Sequence, residues 1–402
     1  MRGLGQLEHS PAAPGWEFPA AEYRRRVDAI RRGMIAAGVD CLFLTSEKNI
    51  RYVTGFHSQT WVSPTRPRFV LLPVEGEPIA VVPTSNAAGI RATTWLDDVR
   101  TWPAPRPADD GVSLVVDALR ELGGARGRVA AEIGPEMRVQ MPIVDFLRIR
   151  ETLAGPFLDA GAVLRPVRMI KSADEVARVR QSAELASEAF VRLAPRLRPG
   201  LTERDVARIL HGLLVELGAD TVPYVVPVSG AHGYEQINMG PTDRPLAPGD
   251  LLIIDVGVTW RGYFCDFDRN FALGRPPAEM RKAYQRVFAA TEAGLAAVRP
   301  GRAAADVWRA MAAVADPGGC ADTPVGRMGH GLGLDLTEPP SLAPDDRTML
   351  EPGMVITLEP SLALPGAGGL TRRLMVHEEN IVVTATGCEL LTRRAPPKLP
   401  IV

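Results

Sequence analysis

Long apolar runs are missing from this 402-residue chain, and no stretch approaches the twenty residues a membrane-crossing helix needs. A surplus of either charge is missing too. Lys and Arg number 46 against 47 Asp and Glu, a formal net charge of −1. That balance gives no pull toward nucleic acid or an anionic membrane. Cysteine is scarce: Cys41, Cys265, Cys320 and Cys388 stand apart, with neither disulfide nor metal-ligand spacing. Such usage suits a reducing cytoplasm, with the thiols as small packing residues. Cys265 adjoins Asp266, but a nucleophilic thiol needs a local base, so it too reads as packing. The charged-then-apolar pattern of a secretory signal is also absent. The expectation is a cytoplasmic protein.

Apolar residues make up 46% of the chain, enough for full cores, and the length suggests two or three domains. Residues 1–19 carry Gly, Pro and Ala without periodicity and read as a flexible arm. Residues 21–37 place apolar side chains at helical spacing and stop at Gly38. Strand-like runs follow at CLFLTS, FVLLPV, IAVVP and RVAAEIG, with helical stretches near 112–123 and 139–154. Alternation of this kind describes one α/β domain over residues 20–165. Its loop TGFHSQTW holds His57 and Trp61, a polar–aromatic pair suited to recognition or simply to the surface. Ser172 with Glu175 three residues on is a capping box. It opens a second domain, residues 166–402.

That domain repeats itself. LRPGLTERDVARIL begins at Leu197 and VRPGRAAADVWRAM at Val298, each flanked by helical stretches. Two related halves about a pseudo-twofold axis would place a site between them. Between the repeats lies LLIIDVGVTWRGYFCDFDRNF, residues 251–271. LLII reads as a buried strand ending at Asp255. VGVTWRGYF reads as a second strand after a bend, broken at Gly257 and Gly262, and Asp266 follows. Aspartates at strand ends are ordinary turn formers; they are also oxygen ligands. Downstream, His330 sits among Gly329, Gly331 and Gly333, Glu359 closes the apolar run GMVITLEPS, and Glu378 opens HEENIVVT. Carboxylates on apolar strands are costly to bury singly. Two Asp, two Glu and one His sharing two ions would relieve that cost and lower the pKa of a bridging water.

These motifs, with NIRYVTGF and RMIKSADEVARVR upstream, resemble the ordered motifs of the pita-bread metallopeptidases. That family includes methionine aminopeptidase, aminopeptidase P, prolidase and creatinase. The resemblance covers nearly the whole chain. It implies an α/β (α+β) fold with a creatinase-like N-terminal domain and a C-terminal pita-bread domain. It implies two divalent metal ions, Mn, Zn, Fe or Co, on Asp255, Asp266, His330, Glu359 and Glu378. Glu359 would also shuttle the proton. A homodimer acting on a small molecule or short peptide is implied as well, with the loop near Trp61 reaching the partner's site.

The chain departs from the proline-specific members. Asn238 and Thr337 stand where those carry histidines, Val376 where an arginine is common, and Asp268 where a small hydroxyl residue is usual. His232 and His377 are candidates to take over catalytic roles, and Tyr234, Asp268, Thr337 and Trp61 to bind substrate. The leading expectation is a dinuclear hydrolase of a C–N bond in a small substrate through a metal-bridged hydroxide. The alternatives are a lyase of the dimethylsulfoniopropionate type, an ectoine-type hydrolase, and a metal-free binding protein.

Overall fold

The computed structural model describes residues 17–123, 127–317, 326–368, 370 and 372–402. Most of the expected arm, and Cys320, lie outside them. The chain divides into two compact units, Met1–Val167 and Arg168–Val402.

The N-terminal unit opens with the helix Ala20–Ala37, which buries Tyr23, Val27, Ile30 and Met34 along one stripe. Gly38 ends it in the left-handed region, at φ 64°, where glycine carries no Cβ penalty. Six strands form one mixed sheet. Their spatial order is Asp98–Trp102, Ile79–Pro83, Phe69–Pro73, Cys41–Leu44, Val129–Ala131 and Phe157–Asp159. The central strand CLFL is buried on both faces, as its unbroken apolar run requires. Phe43, Phe69, Trp102 and Leu119 fill the core on one side. Burial pushes the Cys41 thiol up to about 12, the state of an inert packing thiol.

The C-terminal unit carries the repeat as two helix pairs. Ala173–Leu193 packs with Glu203–Glu216, and Ala278–Ala297 with Ala304–Ala315. The first helix starts at Ser172, whose hydroxyl accepts from Glu175 N at 3.3 Å while Glu175 accepts from Ser172 N at 2.9 Å. Three long antiparallel strands follow in the order Thr221–Gly230, Leu251–Trp260, Tyr263–Ala272. The stretch differs from the expected strand, bend and second strand. Leu251–Trp260 runs through Asp255 and Gly257 without a bend, so both aspartates sit mid-strand. The break comes at Arg261 and Gly262, both at positive φ (48° and 80°), as a two-residue hairpin demands. Gly257 stays in the strand because a Cβ there would collide with the Tyr224 ring. The second half gives a five-stranded sheet, in the order Glu338–Ser341, His330–Gly331, Val355–Leu358, Glu379–Val383, Cys388–Leu390. A separate hairpin pairs Ser361–Pro365 with Arg372–Val376. No described helix is long and apolar enough to cross a membrane.

A buried ion cluster ties the start of this unit to the loop after His330. Glu338 accepts from Lys171 Nζ at 2.9 Å, Arg168 Nη2 at 2.5 Å and Asp335 N at 3.1 Å. Burial alone would raise its pKa, but Arg168 and Lys171 outweigh that and hold it at about 2. A carboxyl held below its ordinary value stabilises the fold fully above about pH 4.5, and that contribution fades as pH falls toward 2. Glu338→Gln should therefore cost roughly 3 kcal/mol at pH 7. Urea unfolding at stepped pH should show the deficit shrinking below pH 4.5.

Candidate metal centre

Strand register assembles the site. Asp255 pairs with Asp268 and Gly257 with Asp266, so the three aspartates share one face of the sheet. The opposite face carries Cys265, Phe267 and Phe271, and Phe190 packs on it with its ring 5.5 Å from that of Phe267. Burial raises the Cys265 thiol, in keeping with packing.

His330 comes from the second half. Its N–H donates to Thr357 Oγ1 at 3.1 Å, and its Nδ1 lies 2.9 Å from Gly331 O. That bond places the ring proton on Nδ1 and leaves Nε2 to face Asp266 Oδ2, 3.4 Å away. The flanking glycines permit the close packing, since a Cβ at Gly329 or Gly331 would strike the backbone of Thr357 or Pro339. Ligand atoms of Asp266, His330 and Glu378 lie within 4.8 Å of one another, all buried. Glu359 and Asp255 lie close enough for their charges to raise Glu378, and the charge of Glu359 also raises Asp255.

The electrostatics are those of crowded carboxylates. Burial, then the charges of Asp266 and Asp268, push Asp255 well above the usual carboxylate range. Burial, then Asp266 and Glu359, do the same to Glu378. Burial raises Glu359 to about 7 despite His330. Burial pulls the His330 imidazole down, but Asp266 outweighs it and the net shift is upward. Asp255 Oδ1, Asp268 Oδ2 and Glu378 Oε1 are buried with no hydrogen-bond partner among the described residues. Orphaned buried oxygens beside mutually repelling carboxylates fit hard or borderline divalent cations, whose charge and oxygen preference satisfy both. The residues present therefore fit a metal centre.

Supporting contacts hold this face in place, and no motif marks them. Tyr224 donates to Asp266 Oδ1 from directly across Gly257. Asn380 accepts from Asp266 N at 3.1 Å and donates back to Asp266 O. Asn270 donates to Asp268 Oδ1. The one sequence signal is spacing: Asp266, Asp268 and Asn270 fall at i, i+2 and i+4 of a buried strand, hence on one face.

Other candidates lie elsewhere. His377 lies between the strands Arg372–Val376 and Glu379–Val383, buried against Tyr284 and Phe288, with ring nitrogens 3.0 Å from Thr291 Oγ1 and Arg394 Nη1. Burial lowers it to about 3. Both ring nitrogens are engaged by these partners, and the grouped ligand atoms are those of Asp266, His330 and Glu378. His232 is exposed and lines a cavity of about 450 Å³ with Ser229, Arg244 and Gln236. Tyr234 is 2% exposed and donates to Asn270, so it props the site and offers substrate no hydroxyl. Asn238 and Thr337 are exposed, and Val376 is buried against Ile253 and Leu374. Trp61 belongs to the N-terminal unit, where Arg68 lies 4.6 Å over its ring.

Comparison with known proteins places this architecture. The profile for metallopeptidase family M24 matches residues 177–385, and that for the creatinase/prolidase N-terminal domain matches residues 26–170. The probable dipeptidase PepE of Mycobacterium tuberculosis is 29% identical over 396 residues, 96% of this chain and 98% of its own. The crystal structure of dipeptidase PepE from Mycobacterium ulcerans superposes with a TM-score of 0.83 at 31% identity, covering 96% of this chain and 99% of that one. A dipeptidase structure from Pyrococcus horikoshii OT3 gives 0.82 at 27%, covering 94% and 100%. Fold and homology define a metallohydrolase of the creatinase and Xaa-Pro peptidase superfamily, with the pita-bread fold. The chain belongs to metallopeptidase family M24.

Proposed function

We propose that this protein hydrolyses the C–N bond of a dipeptide or a dipeptide-like amide at a centre holding two divalent cations. The observation that carries the reading is the buried group of Asp266, His330 and Glu378, with ligand atoms within 4.8 Å, beside unpartnered oxygens of Asp255 and Glu378. Asp255, Asp266, His330, Glu359 and Glu378 would hold the ions. When bound, such ions supply Lewis acidity and a low-pKa water. Glu359 takes a proton from the attacking water on its carboxylate and delivers it to the leaving nitrogen. His330, pinned through Nδ1 by Gly331 O, keeps Nε2 on the site. Tyr224 and Asn380 keep Asp266 oriented.

The dipeptidases among the relatives support a dipeptide substrate. Proline specificity is not part of the proposal, because exposed Asn238 and Thr337 and buried Val376 replace the family's histidines and arginine. A metal-free binding role fits poorly, since it would leave the buried carboxylates uncompensated.

A panel of dipeptides, with and without proline in second position, tests the reading. After loading with Mn, Zn, Fe or Co, the protein should release free amino acids from non-proline dipeptides, and chelator should abolish release. Absence of turnover on every dipeptide with every metal would overturn it.

A further inference from the structure

Asp268 lies outside the five-residue set but on the same sheet face. It is the cross-strand partner of Asp255 and stands two residues from Asp266. Its side chain is buried, at 3% exposure, and its two oxygens are treated differently. Oδ1 accepts from Asn270 Nδ2 at 3.1 Å. Oδ2 is buried with no hydrogen-bond partner among the described residues.

The held oxygen is held firmly. Asn270 Nδ2 also donates to Val376 O at 2.8 Å, and Asn270 Oδ1 accepts from the Tyr234 hydroxyl at 2.8 Å. Tyr234 is fixed in turn, its oxygen accepting from Val376 N at 3.2 Å. This chain of bonds pins one edge of the carboxylate and leaves the other bare. The charge of neighbouring Arg269 reaches Asp268 only through space, with no hydrogen bond to the carboxylate. Arg269 spends its guanidinium on Asp268 O, Glu378 O, Glu379 Oε2 and Arg393 O. A bare carboxylate oxygen at this depth is costly unless a positive charge meets it. Asp255 Oδ1 and Glu378 Oε1 share the condition. An outer contact that orients one oxygen while the other is left bare is the usual way a ligand is presented to a metal.

We propose that Asp268 is a sixth ligand of the centre, its Oδ2 taking a divalent cation beside Asp255, with Asn270 and Tyr234 as positioning residues. The inference rests on the reading that the centre binds divalent cations, and it goes beyond that reading in ligand number and charge. A further carboxylate adds hard oxygen character and favours Mn²⁺.

The test is a titration of chelator-stripped protein with Mn²⁺ alone, by calorimetry and by electron paramagnetic resonance counting of bound ion. Asp268→Asn keeps the shape and removes the charge. It should weaken at least one Mn²⁺ by roughly tenfold to a hundredfold or more. The metal-free variant should melt no lower than wild type, because an uncompensated buried carboxylate has been neutralised. Tyr234→Phe, which leaves all charges in place, should weaken the same ion by a smaller factor. Mn²⁺ affinity of Asp268→Asn within twofold of wild type would overturn the proposal while leaving the five-residue centre standing. A lowered metal-free melting temperature with unchanged affinity would assign Asp268 a structural role and overturn it equally. Failure of wild type itself to take up Mn²⁺ would overturn both the proposal and the reading beneath it.

Discussion

His330→Ala is expected to lower divalent-metal affinity by about a hundredfold or more and kcat/KM by ~10³-fold, with the fold intact. The affinity figure exceeds the tenfold to hundredfold typical of residues that only support a ligand. The rate figure is the scale seen when one preorganised electrostatic group is lost. His330 is the nitrogen donor that the structure groups with Asp266 and Glu378, and its Nδ1 proton is committed to Gly331 O. The change removes the one neutral donor and leaves carboxylates that repel one another. The fold should survive because Gly329 and Gly331, not the imidazole, let the strand pack against Thr357 and Pro339. Plasma emission analysis of metal per chain, with circular dichroism on the same sample, checks both halves. Wild-type stoichiometry in the variant would contradict the ligand assignment.

Arg269→Met is expected to destabilise the C-terminal unit by roughly 3–5 kcal/mol. Arg269 is buried and joins the strand of Asp268 to the segment that carries Glu378 by their backbones, donating to Asp268 O at 2.7 Å and Glu378 O at 3.0 Å. It also pairs with Glu379, which is 0% exposed, at 3.0 Å. Burial would raise Glu379, but Arg269 leads the contacts that bring it below its ordinary value. Methionine fills the volume and covers Phe267, yet leaves two buried carbonyls and a buried carboxylate short of donors. Arg394 and Ala395 N still serve Glu379, which keeps the cost short of complete unfolding. Differential scanning calorimetry should show a fall of roughly 10 °C. An unchanged melting temperature would show that the guanidinium is dispensable, and with it the staple between the strands.

The helix stripe ending at Gly38, the unbroken strand runs and the Ser172 capping box were legible because each is a local pattern of few residues. The pairing of Asp255 with Asp268 was not, because it follows from where the hairpin turns. Reading Gly257 as a break moved that turn; the collision a side chain would make with Tyr224 explains why the glycine lies inside the strand. Tyr224, Asn270 and Asn380 were hidden for a related reason. Each meets the aspartates only through strand register or contacts far along the chain, and an isolated Tyr or Asn in a strand looks ordinary. His377 shows the converse. Its adjacency to Glu378 in sequence suggested a shared site, but neighbours in an extended segment point to opposite sides, and the ring packs against Tyr284 and Phe288.

The most direct test is an anomalous difference map from crystals soaked in Mn²⁺. The account predicts two peaks, each about 2.0–2.3 Å from oxygens of the set Asp255, Asp266, Glu359 and Glu378, with one of them on His330 Nε2. No peak among these residues, or peaks only elsewhere on the protein, would contradict it.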